Sequence, residues 1–308
     1  YDLKEDLYKL FLDKDMQYSC AYFHNENISL DQAQIDKKRH IINKLQIEEN
    51  MNVLDKFRID GLVAVVTGAG KGIGRGIAIG YANSGSKVAI VGRNQEKSKG
   101  VKEEILSTGG SAESFYCDVA DYKSVEKCVS SINDKFGDVN ILVNNAGIGI
   151  RKKEPQELSP EDWRTVMDTN LASMHYFSSL LIDQMKKNKS GKIVNIGSML
   201  SIFGASHAAV YAASKGGVVQ YTKSCAVAWA KYGIQVNAIL PGYITTNLTD
   251  GFRSNFPEEA TLVTSRIPSE RWGVPEDLAG TAIFLASESS NYVTGASVAV
   301  DGGYSVRG

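Results

Sequence analysis

Leu62-Val63-Ala64-Val65-Val66-Thr67-Gly68-Ala69-Gly70-Lys71-Gly72-Ile73-Gly74 begins as a short apolar run and ends in a cluster of glycines. A continuous apolar stretch of this length, closed by turn residues, suits a strand covered on both faces. From Ile73 the pattern becomes helical. In a strand–turn–helix setting Gly68 permits the turn, Gly72 lets the backbone approach a pyrophosphate, and Gly74 lets the helix pack closely. The amides at the helix start, around Lys71 and Ile73, then face the phosphates, where the helix dipole favours negative charge. The same glycines also suit a purely structural turn, so their surroundings decide between the two.

Outward from this loop, apolar runs alternate with helical patterns. Candidate strands lie at 62–67, 87–91, 114–117, 141–144, 192–197, 235–240 and 297–300. Helical stretches lie between them at about 73–84, 95–108, 122–136, 160–187, 209–232 and 276–287. The alternation predicts an α/β fold: a doubly wound, Rossmann-type parallel sheet of seven strands with helices on both faces. It fills one domain, residues 51–308, preceded by a short, mainly helical N-terminal extension, residues 1–50.

Composition excludes several classes. The 308 residues are 43% hydrophobic and 22% charged, so wholesale disorder is ruled out. Thirty-four Lys and Arg against 35 Asp and Glu leave a net charge of −1, which argues against nucleic-acid or membrane-surface binding driven by bulk charge. No apolar run reaches the roughly 18 residues of a membrane span. The cysteines Cys20, Cys117, Cys128 and Cys225 have neither paired nor metal-ligand spacing. Reduced thiols, no metal site and a cytoplasmic location are the expectation.

The second strand sharpens the cofactor. In dinucleotide sites an acid about 20 residues beyond the glycine loop holds the ribose 2′-hydroxyl. Here that strand ends Ile90-Val91-Gly92-Arg93-Asn94, with a guanidinium in place of the carboxylate. Arginine pairs with a 2′-phosphate in bidentate fashion, so NADP(H) is expected over NAD(H), with Arg93 as discriminator. A solvated surface arginine is the plain alternative.

Strand 192–197 runs into Ser198; thirteen residues later comes Tyr211, and Lys215 follows at i+4. Residues four apart share a helix face, so phenol and ammonium point into one cleft. A free tyrosine titrates near 10, and a neighbouring ammonium would lower that. Tyr211 would then exchange a proton with a carbonyl oxygen that Ser198 holds by hydrogen bond.

These pieces together resemble the short-chain dehydrogenase/reductase family from about residue 56 to the end. The matching residues are Thr67–Gly74, Asp118-Val119, Asn144-Asn145-Ala146-Gly147, Asn170, Ser198, Tyr211 with Lys215, Asn237 and Pro241-Gly242. The resemblance implies a catalytic tetrad of Asn170, Ser198, Tyr211 and Lys215, in which Asn170 holds a water that relays protons to Lys215. It places Asp118 and Val119 at the adenine and Asn145, Ala146 and Gly147 beside the nicotinamide. Pro241, Gly242, Ile244 and Thr246 would cover that ring. Asparagines at strand ends also stabilise loops, so Asn144 and Asn145 are in part structural candidates.

Within the family, Pro241–Asn247, Arg266–Gly273 and Val300–Tyr304 look most like the sugar-acid branch, of the 2-deoxy-D-gluconate 3-dehydrogenase and gluconate 5-dehydrogenase kind. Arg151-Lys152-Lys153 supplies cations suited to a carboxylated substrate, although a solvated charge run reads the same way. His207 and Asn247 are further substrate candidates. The segment 243–271 is long for a connection and is expected to form a lid. The long helices at 160–187 and 209–232 imply, by the resemblance, a homo-oligomer, dimer or tetramer. Two alternatives stay open: reduction of a 3-oxoacyl-carrier-protein thioester, and a non-catalytic nucleotide-sensing scaffold, which would be expected to lose Tyr211 or Lys215.

The extension is a different matter. Tyr1-Asp2-Leu3, Leu10–Asp13, Met16–Phe23 and Ala33-Gln34 resemble cyclopropane-fatty-acid synthases, but no nucleotide loop follows Val53-Leu54-Asp55. Residues 1–50 are thus expected to be a fusion-like leader without a methyltransferase site. Ser29-Leu30-Asp31-Gln32 has capping-box spacing, and Ala33, Ile35, Ile41, Ile42 and Leu45 form one apolar face of a helix through about Leu45.

Overall fold

A computed structural model describes residues 28–44 and 53–307. The chain divides into two units, Tyr1–Asp55 and Lys56–Gly308. The described part of the first holds α1 (Leu30–Lys44) and the opening of a 3-10 turn, Val53–Phe57. Half of the expected capping box forms. The Ser29 hydroxyl accepts the Gln32 amide at 3.2 Å, while the Gln32 side chain turns forward and donates to Asp36 at 2.9 Å. A partner one helical turn ahead competes successfully with the backbone behind it. The stretches between Tyr1 and Phe23 that suggested a leader, and the side chains of Ile41, Ile42 and Leu45, lie outside the described residues.

The second unit is built on seven parallel strands: β1 (Val63–Thr67), β2 (Lys87–Gly92), β3 (Ser111–Tyr116), β4 (Ile141–Asn144), β5 (Gly191–Ile196), β6 (Ile234–Pro241) and β7 (Ser297–Val300). Their order is β3-β2-β1-β4-β5-β6-β7. Around them run α2 (Gly72–Asn83), α3 (Gln95–Ser107), α4 (Tyr122–Phe136), α5 (Pro160–Met167), α6 (Ser173–Asn188), α7 (Ala209–Trp229), α8 (Asn247–Asn255), α9 (Pro257–Ser265) and α10 (Ala279–Ala286).

Strand β1 shows why the apolar run is continuous. Ala64 and Val66 pack into one core with Ile77 and Tyr81 of α2, Ile105 of α3 and Leu285 of α10. Val63 and Val65 point the other way, into a second core with Ile132 of α4, Phe177 and Leu181 of α6 and Cys225 of α7. Alternate side chains thus serve two helical layers, and burying each large apolar side chain contributes about 1.5–3 kcal/mol. Strands β1, β4, β5 and β6 are buried throughout, while the edge strands β3 and β7 are only partly covered.

Three departures from expectation have local causes. β3 starts at Ser111, three residues before the expected Ser114, because an edge strand tolerates the polar Ser-Ala-Glu-Ser that disguises it. The long helix expected at 160–187 is interrupted: α5 and α6 are joined by a π turn, Asp168–Ala172. Such turns concentrate at functional sites, and this one carries Asn170. The expected lid segment holds two short helices, α8 and α9, whose brevity hid their period.

Because all strands are parallel, their C-terminal ends lie along one side of the sheet. The chain reverses its winding between β3 and β4, opening a crevice outside the ends of β1 and β4, where ligands bind in this architecture.

Candidate active site

The glycine loop forms the floor of the crevice. Gly68 and Gly72 have φ of 66° and 56°, a region other residues adopt only under strain. A Cβ at Gly68 would stand 3.0 Å from the Ala146 Cα; one at Gly74 would overlap the Asn145 side-chain amide and lie 2.6 Å from the Gly68 carbonyl oxygen. The loop is therefore a cradle with bare backbone on its inner side, and α2 begins at Gly72 with the exposed Lys71 as its N-cap. No side chain of Lys71 caps the helix, so the first amides are left for a ligand. These features fit a dinucleotide pyrophosphate.

Asn145 clamps this cradle. Its Nδ2 donates to the Thr67 carbonyl at 2.8 Å and the Gly68 carbonyl at 3.3 Å. The Thr67 hydroxyl in turn accepts the amides of Asn145 and Ala146, each at 3.0 Å. Asn144 is equally structural: it donates to Asn195 at 2.8 Å, and Asn195 donates to Thr222 of α7 at 2.9 Å. Asn237 ties β6 to the approach to β7 through Val293 and Ala296. Thr246 sits against the cradle, with a Cβ at Gly72 falling 3.4 Å from its methyl group. Gly242, just past β6, has no room for a side chain, since a Cβ would lie 2.6 Å from the Cα of Asp301, just past β7. Pro241 and Ile244 are buried beside it.

Arg93 follows the end of β2 and reaches Asp118, beyond β3, at 3.9 Å. Both side chains are largely in solvent, at 63% and 39% exposure, so the pair is loose and leaves the guanidinium open to a stronger anion. The Asp118 carboxylate also accepts the Ala120 amide, and Val119 is buried next to it.

Ser198, Tyr211 and Lys215 converge. The Ser198 hydroxyl lies close enough to the Tyr211 phenol to pull its pKa down, and it accepts the Leu200 amide at 3.1 Å. Lys215 Nζ lies 5.7 Å from the centre of the Tyr211 ring and donates to the Ile196 carbonyl at 2.7 Å. Burial holds the Lys215 ammonium down to about 8. Tyr211 departs from expectation. Burial pushes its phenol above the ordinary value, and the opposing pull comes from Ser198 and then the Arg151 charge. In the protein alone it is a neutral acid.

Asn170 is wholly buried, and its side-chain amide is spoken for. Oδ1 accepts the Ile148 amide at 2.8 Å, while Nδ2 donates to the Ile148 carbonyl at 2.9 Å and to the Ser214 hydroxyl at 3.0 Å. Ser214 then donates to the Tyr211 carbonyl at 2.7 Å. Asn170 thereby locks the Gly147-Ile148 turn onto the helix that carries Tyr211 and Lys215; a Cβ at Gly147 would be 3.5 Å from Lys215 Nζ. Ser201 adds a second tie, accepting the Ser198 amide at 3.1 Å and donating to the Lys215 carbonyl at 2.7 Å. The hydrogen bonds made by Thr67, Asn195, Ser201 and Ser214 escaped sequence reasoning, because hydroxyls and amides one turn or one strand away leave no spacing signature.

Of the substrate candidates, Arg151 faces the cleft: its charge bears on Tyr211, His207 and Tyr243. Its guanidinium lies 5.6 Å over the Phe252 ring of α8. His207 is held below its ordinary value by burial and by that cation. Lys152, in contrast, turns to Asp162 at 3.4 Å. Asn247 is exposed as the first residue of α8.

A family described as enoyl-(acyl carrier protein) reductase matches residues 68–305. The 2-dehydro-3-deoxy-D-gluconate 5-dehydrogenase of Dickeya dadantii (strain 3937) is 41% identical over 83% of this chain and 100% of its own. The 3-oxoacyl-[acyl-carrier-protein] reductase of Chlamydia pneumoniae is 39% identical over 79% of this chain and 96% of its own. Among solved structures, a gluconate 5-dehydrogenase from Burkholderia cenocepacia J2315 in complex with NADP and tartrate is 36% identical, with a TM-score of 0.79 over 83% of this chain and 99% of that one. Crevice, cradle and relatives agree, and the chain belongs to the short-chain dehydrogenase/reductase family.

Proposed function

We propose that the protein moves a hydride between NADP(H) and a secondary alcohol or ketone of a sugar acid, of the gluconate or 2-dehydro-3-deoxygluconate kind. One observation carries this: Tyr211 stands with Lys215 Nζ 5.7 Å from its ring, within the influence of Ser198 and of Arg151, an arginine with no carboxylate partner among the described residues. When bound, the nicotinamide supplies the hydride for reduction and takes it up in oxidation. Gly68, Lys71, Gly72, Ile73 and Gly74 would hold its pyrophosphate, Asp118 and Val119 its adenine, and Ala146, Gly147, Pro241, Gly242, Ile244 and Thr246 its nicotinamide side.

The chain's own chemistry follows from the charges. In reduction Tyr211 gives its phenolic proton to the carbonyl oxygen, and the Ser198 hydroxyl donates to that oxygen and holds it. In oxidation Tyr211 takes the hydroxyl proton, which its raised pKa suits once it is ionised. Lys215, Ser198 and the Arg151 charge stabilise that phenolate. Arg151 draws the substrate carboxylate to the cleft, with His207 and Asn247 placed to meet hydroxyls.

Arg93 favours NADP(H), since a 2′-phosphate would displace the distant Asp118 carboxylate. Solved relatives bind NADP, as in the Burkholderia enzyme. Trp163 on α5 and Val227 on α7, exposed at 45% and 85%, support a homo-oligomer assembled through these helices. Among the described residues no helix is long and apolar enough to cross a membrane. Residues 1–50 contribute no chemistry, so a chain lacking them keeps the full-length kcat/KM; an unfolded or inactive product overturns that.

The deciding experiment is a panel of sugar acids, 3-oxoacyl thioesters and simple ketones with each nicotinamide cofactor, followed by absorbance of the reduced ring. Turnover confined to sugar acids with NADP(H) is expected. Preferential turnover of acyl thioesters replaces this function with the carrier-protein reductase reading, and no turnover of any arm favours a nucleotide-sensing scaffold.

A further inference from the structure

The C-terminal tail, Asp301–Arg307, is built into the wall of the cleft. Tyr304 is its central residue. The Tyr304 ring meets Tyr243, just past β6, at 5.3 Å between centres and 71° between planes. It also meets Phe203, in the turn after Ser198, at 6.4 Å. One tail residue thus joins the loop that follows β6 to the turn that follows the catalytic serine.

The tail is anchored to the segment after α9. Ser269 donates from both its amide and its hydroxyl to the Gly302 carbonyl, each at 3.0 Å, and the Arg307 guanidinium donates to the Ser265 carbonyl. Gly302, with φ of 65°, passes so near Ile267 that a Cβ would stand 2.8 Å from its methyl group.

On this platform sits Arg266, its guanidinium 5.5 Å over the Tyr304 ring. The contrast with Arg271 is instructive. Arg271 is spent on Asp277 in a bidentate pair at 2.7 and 3.0 Å. Arg266 meets no carboxylate among the described residues, and ring stacking aims it while leaving its donors free. A continuous run of rings links the two cations: Arg151 lies over Phe252, Phe252 meets Trp272 at 6.3 Å, Trp272 meets Tyr243 at 5.2 Å, and Tyr243 meets Tyr304 beneath Arg266; the charges of both bear on the Tyr243 phenol.

We infer that Arg266, seated on Tyr304, is a specificity-determining residue that together with Arg151 selects substrates carrying a carboxylate. The inference rests on the sugar-acid function proposed above and adds a residue and a tail platform to it. A guanidinium presents its donors in a flat fork that matches a carboxylate, and a second cation on the same anion disfavours neutral competitors.

The test compares a sugar acid with a neutral ketose or polyol of the same carbon count, using the full chain and NADP(H). In Arg266→Gln the acid-to-neutral ratio of kcat/KM is expected to fall about tenfold to a hundredfold, through KM for the acid rather than kcat. Arg266→Lys restores part of the ratio. Tyr304→Leu lowers it, and Tyr304→Phe, which keeps the ring, lowers it less. An unchanged ratio in Arg266→Gln overturns the assignment. Equal losses on acid and neutral substrates also overturn it, because they reveal a mere clamp for the tail. Failure of the underlying function shows separately, as a wild-type enzyme that turns over no sugar acid.

Discussion

The two sides of the crevice are built by different physical means. The side under the glycine loop is shaped by backbone: Gly68, Gly72 and Gly74 leave bare surface, and the half-buried Asn145 and buried Thr67 hold it in place. The side under α8, α9 and the tail is shaped by exposed or half-exposed side chains in stacks, with Arg151 over Phe252, Arg253 over Trp272 and Arg266 over Tyr304. A backbone cradle tolerates little substitution, because a Cβ at Gly68 or Gly74 meets close neighbours and the positive φ of Gly68 and Gly72 strains any side chain. A stacked wall can exchange residues without disturbing the core. The comparison teaches where a shared ligand and a variable one belong on such a fold: the dinucleotide against backbone, the substrate against replaceable side chains.

Several experiments would break or sharpen this contrast. The largest effect belongs to neither side but to the junction between them. Tyr211→Phe should lower kcat by about 10²–10⁴-fold while NADPH still quenches or enhances protein fluorescence with near-native affinity. Retained turnover would remove Tyr211 from the chemistry. On the backbone side, Gly74→Ala should cost about 1–3 kcal/mol of stability in a denaturant titration, because its Cβ would overlap the Asn145 amide. It should weaken NADP(H) binding as well, and a neutral outcome would mean that the cradle yields easily.

Arg93→Asp is the side-chain counterpart on the cofactor. The NADP(H)-to-NAD(H) ratio of kcat/KM should fall about tenfold to a hundredfold, the worth of a charge-assisted pair. Unchanged selectivity would return Arg93 to the role of a solvated surface residue.

The smallest expected effect lies away from both walls. Lys192 on β5 is buried, donates to Ser290 at 3.1 Å and Asn291 at 2.8 Å, and is pushed down to about 8 by burial. Its folded pKa lies below its unfolded one, so between about pH 8 and the ordinary lysine value the unfolded chain binds more protons. Stability therefore rises with pH across that window, and the penalty of the buried charge is complete below it. Melting temperatures at pH 7.5 and 10 should show a smaller rise in Lys192→Met than in the wild type. Equal rises would show that Lys192 keeps an ordinary affinity for its proton.

Much of the fold was legible because burial on both faces leaves a continuous apolar run. β4 and β7 begin and end at the expected residues, and β1, β2, β5 and β6 within one or two. Legibility faded where burial was one-sided, as in β3, or where an element was short and leaned on neighbours, as in α8 and α9. Within the site, Gly68, Gly74, Ser198, Tyr211 and Lys215 announced themselves by residue type and spacing. Asn145 was expected beside a nicotinamide and as a partly structural residue, and its side chain is engaged by the glycine loop. Its amide reaches back 78 residues along the chain to Thr67, a distance over which spacing carries no information.

Periodicity, glycine placement and the Tyr211–Lys215 interval are local properties of the chain, and they alone determined the sheet, the cradle and the proposed catalytic pair. The tertiary structure decided what depends on neighbours remote in sequence. It raised the Tyr211 pKa through burial, spent the Asn170 amide on the Gly147-Ile148 turn, and seated Arg266, just past α9, on Tyr304 of the tail. The physical reason is the same in each case: desolvation, hydrogen bonding and ring stacking act through space, and only the folded chain brings those partners together.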